Sequence, residues 1–144
     1  MNNRDNKFDL DLKYGQEIEN QLAKILQEKG TKIEVKTERN IWQTTNKLAI
    51  EFRCNGKPSG LSVTESDWWA IALADKETIG GIILIPTQQL KENIKILHKA
   101  KLIKITKGGD GDKSEMFLVP IHMIPALCCP PTSERTNETP TNQP

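Results

Sequence analysis

The chain has 144 residues, enough for one domain around a single core, and its 36% apolar and 27% charged residues are an ordinary balance for a soluble protein. A formal net charge of +1 excludes the strongly basic whole-molecule field that draws in polyanions unaided. No apolar run approaches a membrane span, and the opening "MNNRDNKFDL" lacks the apolar stretch of a secretory signal, so a cytoplasmic, intracellular protein with no membrane association is expected.

In chain order, "GQEIENQLAKILQEKG" reads as a helix, with Ile18, Leu22, Ile25 and Leu26 on one stripe and Gly30 as terminator. "KIEVKT" and "KLAIEFR" alternate apolar and charged residues and predict neighbouring strands, a hairpin joined by the polar loop "ERNIWQTTN". "NGKPSGLS" is a loop by its glycine and proline content. "DWWAIALA" and "GGIILIP" are apolar enough for central strands. Thr87 then predicts an N-cap for the helix "QQLKENIKILHKAK", with Leu90, Ile94 and Leu97 on one face. "LIKITKGGDGDKSEMFLVPI" closes the domain as two strands around a glycine-rich turn. The fold class is α/β in the mixed α+β sense, a small central mixed sheet with an N-terminal helix and a second helix packed on it. The domain is expected over residues 8–125. Residues 126–144, ending in "PPTSERTNETPTNQP" with four prolines in fifteen residues, are expected to be a disordered tail.

Three features bear on chemistry. In a strand, residues two apart share a face, so Glu34 and Lys36 project together. If Ile33 and Val35 share a core face with Ile50 and Phe52, Glu51 joins them across neighbouring strands. On the first helix, at about 100° per residue, Glu19 lies on the border of the apolar stripe and Glu17 points roughly 125° from its centre. Glu19 is therefore the better third carboxylate and Glu17 the alternate. Asp11 and Asp9, alternating with apolar residues just before the helix, complete the candidate acids. Two or three carboxylates suit a hard cation, and a lysine beside them suits neutralisation of a phosphodiester. The same pattern describes a solvated sheet face equally well.

Other positions carry less. Lys57 and Ser59 in the loop and Arg39 at the strand's end are candidate phosphate contacts. Residues 91–107 hold six lysines against Glu92 alone, either a phosphate-binding face or a solvated one. Of Trp68 and Trp69, one is expected in the core and the other part-exposed, and Asp67 is expected to order the turn before them. Cys54, Cys128 and Cys129 have neither disulfide-framework nor zinc spacing, which fits reduced thiols.

A helix with a border glutamate followed by "IEVK" resembles the PD-(D/E)XK nuclease superfamily. Taken in order, "FDLDLKYGQEIENQ", "IEVKTER", "NKLAIEF", "GKPSGLSVTESDWWAI" and "GGDGDKSEMFLVPI" are similar to small phage-encoded endonucleases of that superfamily, over residues 8 to 122. The resemblance implies a restriction-endonuclease-like core and a magnesium-dependent endodeoxyribonuclease, with Mn²⁺ as the alternative ion. It implies Glu34 as metal ligand and Lys36 as catalytic lysine, with DNA as partner. The superfamily's aspartate before Glu-x-Lys has no counterpart here, so Glu51 or Asp11 takes that ligand's place. In a rearranged reading, Glu34 replaces the aspartate and Glu51-Phe52-Arg53 the signature; the first is preferred because arginine stays charged where a proton must move. Cutting two strands takes two sites, which points to a homodimer. The rival readings are a nucleic-acid-binding protein on the same fold without chemistry, and a small non-enzymatic interaction protein.

Overall fold

The computed structural model describes residues 3–26, 30–39 and 41–129. Helix α1 (Asn3–Leu26) leads into strand β1 (Ile33–Arg39), a short helix α2 (Ile41–Thr45) and strand β2 (Lys47–Cys54). The two-residue strand β3 (Lys57–Pro58) and a 3-10 turn at Gly60–Ser62 precede strands β4 (Trp68–Asp75) and β5 (Thr78–Pro86). Helix α3 (Thr87–Lys99), strands β6 (Lys104–Gly108) and β7 (Ser114–Pro120) and helix α4 (Ile124–Cys128) complete the chain. The mixed α/β class is as the sequence predicts. No helix among the described residues is long and apolar enough to cross a membrane.

The strands form two sheets rather than the single expected one, in the orders β1-β4-β5 and β3-β2-β7-β6. The expected β1–β2 hairpin does not form. β1 pairs in parallel with β4, Glu34 opposite Trp69 and Lys36 opposite Ile71, while β2 pairs antiparallel with β7. The physical reason is a division of the apolar residues between two cores. Ile33 and Val35 pack with Ile18 and Leu22 of α1 and with Ala70 and Ala72 of β4. Ile50 instead packs with Leu48, Trp69, Ile71, Ile85 and Val119, beneath Leu90, Ile94 and Leu97 of α3. The three-stranded sheet thus has α1 on one face, and α3, α4 and the second sheet on the other.

Local corrections follow from the same packing. α1 begins at Asn3, so Asp9 and Asp11 lie within it and not before it. The loop after β1 contains α2, whose Trp42 indole donates to the Ala74 carbonyl (3.0 Å). Thr87 is the first residue of α3 and Pro86 its cap; the buried Thr87 hydroxyl is shared with Ser66 (2.9 Å). The expected boundary at 125 falls inside α4. Leu127 is fully buried, and the buried Asn93 amide donates to the Leu127 and Cys129 carbonyls at 2.9 and 2.8 Å. The remainder of the expected tail, residues 130–144, lies outside the described residues.

Candidate catalytic pair at the sheet edge

Among the described residues β1 is an edge strand, with β4 on one of its long sides and no described strand on the other. Alternation puts Glu34, Lys36 and Glu38 on the face opposite Ile33 and Val35, in line with Trp69, Ile71 and Leu73 of β4. That face borders the larger core, but at the sheet edge the first two side chains keep 37% and 43% of their surface. Glu34 Oε1 and Lys36 Nζ form an ion pair at 2.8 Å, and Nζ also stands 5.6 Å from the centre of the Trp69 ring. Trp69 is almost fully buried, and its indole Nε1 is buried with no hydrogen-bond acceptor among the described residues. A half-exposed ion pair contributes only about 0.2–1 kcal/mol to stability. Stability is therefore a weak reason for this pair.

Glu38, third in the series, behaves differently. Its Oε1 accepts from the Ala49 N–H at 3.0 Å, tying the edge of one sheet to β2 of the other. Burial pushes its carboxyl pKa above the ordinary glutamate value, and the Ala49 bond offsets part of that rise. The i, i+2, i+4 spacing in "IEVKTER" puts Glu38 on the face of Glu34 and Lys36. What the sequence could not reveal was the amide waiting for it on β2.

The other expected acids do not join the pair. Glu51 lies on the second sheet, on the face opposite Ile50, and its two oxygens accept from Ser59 Oγ (2.8 Å) and Ser114 Oγ (2.7 Å). The neighbouring-strand premise that put Glu51 beside Glu34 therefore fails. The loop reaches Glu51 because β2 bulges at Phe52, whose carbonyl accepts from the Ser59 N–H (3.0 Å). Gly60 follows at φ +48°, where a Cβ would run into the Glu51 carbonyl oxygen. Glu19 is half-buried and Glu17 exposed on α1, which packs on the Ile33–Val35 face, and neither pairs with Glu34 or Lys36. The side chains of Asp9 and Asp11 lie outside the described residues. Among the described residues, no three His, Cys, Asp or Glu side chains converge as a metal centre requires.

Of the expected phosphate contacts, the Ser59 hydroxyl is committed to Glu51, and Lys57 is exposed on β3. The Arg39 guanidinium stands 5.5 Å over the Tyr14 ring and joins the end of β1 to α1. Trp68 is part-exposed, as expected beside a buried Trp69, and Asp67 orders its turn by accepting from the Lys32 N–H at 2.9 Å. All three cysteine thiols are free. Compared with known proteins, the chain matches no family model, no curated protein and no solved structure.

Proposed function

We propose that this chain is a DNA endonuclease whose catalytic pair is Glu34 and Lys36 at the open edge of β1. The observation that carries this reading is the 2.8 Å ion pair, held half-exposed on an edge strand with both side chains on one face. Hydrolysis adds a water oxygen to phosphorus and expels one ester oxygen, which takes up a proton. The non-bridging oxygens gain negative charge on the way. The Lys36 ammonium is the group that neutralises that charge, and Glu34 keeps the ammonium in position. A homodimer would supply the second cut of a duplex.

Magnesium, or manganese in its stead, is the cofactor that the resemblance carries. Mg²⁺ takes an octahedron of oxygens, commonly one or two from carboxylates and the rest from water and substrate phosphates. Glu34 offers one carboxylate, already engaged by Lys36, so the described residues do not complete a cation site.

A second reading is a DNA-binding protein that uses this edge without chemistry. It is favoured by Glu51, whose carboxylate is engaged by two serine hydroxyls where a nuclease would direct it to a cation. Supercoiled plasmid incubated with Mg²⁺, Mn²⁺ or a chelator separates the two. The nuclease nicks plasmid with a divalent ion, and Lys36→Ala abolishes nicking while lowering the melting temperature by no more than about 5 °C. Cleavage that survives Lys36→Ala overturns the assignment of the pair. Salt-sensitive DNA binding with no cleavage by the wild-type protein selects the second reading, and no binding at all selects a non-enzymatic interaction protein.

A further inference from the structure

A cavity of about 400 Å³ opens between α3 and the second sheet, away from the Glu34–Lys36 pair. Its floor is a pair of half-buried aromatic rings, Phe52 and Phe117, with centroids 4.4 Å apart and planes tilted by 32°. His98 stands edge-on to Phe117 at 5.4 Å and steadies that ring. Leu61 and Ile94 form apolar walls. Two features make this a built site and not a packing gap. The Phe52 bulge turns β2 toward the loop, and Gly60 lets the 3-10 turn lie against the β2 backbone, so Leu61 enters the core and Ser62 stays exposed beside the cavity.

The remaining lining is cationic. Lys91 and Lys95 sit one turn apart on α3 and both line the cavity. Lys91 Nζ donates to the Thr64 carbonyl at 3.3 Å, which anchors it without cancelling its charge. Neither lysine pairs with a carboxylate among the described residues. Glu92, the one acid on α3, accepts instead from Gln88 at 3.0 Å. Like charges four residues apart on a helix repel, so an anion between them removes a repulsion as well as adding two attractions.

We propose that this cavity binds a small amphipathic carboxylate, its apolar body on Phe52, Phe117, Leu61 and Ile94 and its anionic group between Lys91 and Lys95. The volume falls within the range of small-molecule sites, roughly 300–1,000 Å³. A nucleotide is the other anion with a flat body, but its base carries several polar edge atoms. Apart from the lysines, the lining side chains provide only the Ser62 hydroxyl, so a buried base would leave those atoms unpaired at a cost that an apolar body avoids. This site does not depend on the endonuclease reading.

The test is calorimetric titration of the full chain with 2-naphthoate, its uncharged counterpart 2-naphthalenemethanol, and dAMP. Naphthoate is expected to bind, with the alcohol and dAMP at least about tenfold weaker. Lys91→Ala/Lys95→Ala is expected to weaken naphthoate by about 10- to 100-fold, the loss of charge-assisted hydrogen bonds. Ser62→Trp, placed at an exposed position to fill the cavity, is expected to abolish binding. Melting temperatures check that both variants are folded. Equal affinity for the alcohol, or unchanged naphthoate binding in either folded variant, overturns the proposal. So does absence of naphthoate binding by the wild-type protein, and tighter binding of dAMP replaces the carboxylate with a nucleotide.

Discussion

Replacing Glu51 separates a structural carboxylate from a metal ligand. Its two oxygens accept from Ser59 Oγ at 2.8 Å, in the loop after β3, and from Ser114 Oγ at 2.7 Å, the first residue of β7. A hydrogen bond to a charged group contributes about 1.5–3 kcal/mol. Glu51 is half-buried, so the lower end of that range applies to each bond. Glu51→Ala removes both and leaves two hydroxyls without their acceptor, which predicts a loss of roughly 3 kcal/mol. Glu51→Gln keeps the shape and one accepting oxygen while losing the charge, which predicts about 1–2 kcal/mol. For a domain of this size each kcal/mol lowers the melting temperature by roughly 3–5 °C. Urea denaturation followed by circular dichroism measures the stability, and plasmid nicking on the same samples measures any activity below the transition. Stability should fall in the order wild type, Gln, Ala, and Ser59→Ala should couple to both Glu51 variants. If Glu51→Gln leaves stability unchanged and abolishes cleavage, the carboxylate acts in chemistry and is not a structural acceptor for the two serines.

Glu38 titrates with the opposite sense to a stabilising carboxylate. Its folded pKa is raised above the ordinary 4.5, so its contribution is fully present below pH 4.5 and is lost as pH rises through the folded value. Glu38→Gln removes that loss while an amide oxygen still accepts from Ala49, so the variant's stability advantage should grow on thermal scans as pH rises from 4.5 through the folded value. Gly60→Ala should cost at least about 2 kcal/mol, from a positive φ and a Cβ against the Glu51 carbonyl. Gly56→Ala, at φ +74° with open space around it, should cost only about 1 kcal/mol. Ending the chain after residue 125 removes the buried Leu127 and both acceptors of the buried Asn93 amide. A loss of roughly 3–6 kcal/mol is expected in denaturant titrations.

What the sequence determined by itself was local. The strand "IEVKTER", the apolar pair "DWWAIALA" and "GGIILIP", the helix after Pro86 and the hairpin around "KGGDGD" follow from spacings of two and of three to four residues, which neighbouring atoms enforce. The common face of Glu34 and Lys36 belongs here too, because alternation along one strand needs no partner. Their neighbours were a different matter. Alternation says that two faces differ but not which core each face meets. Ile33 and Val35 went to α1 and the alanines of β4, while Ile50 went to Trp69 and α3. With those residues in separate cores, β1 took β4 as its parallel partner, 35 residues along the chain, in place of the adjacent β2. That single exchange separated Glu51 from Glu34, gave Glu51 to a serine 63 residues away, and brought the Glu38 carboxylate to the Ala49 amide. Pairing across such distances depends on how whole sheets bury their surfaces together, and only the tertiary structure records it.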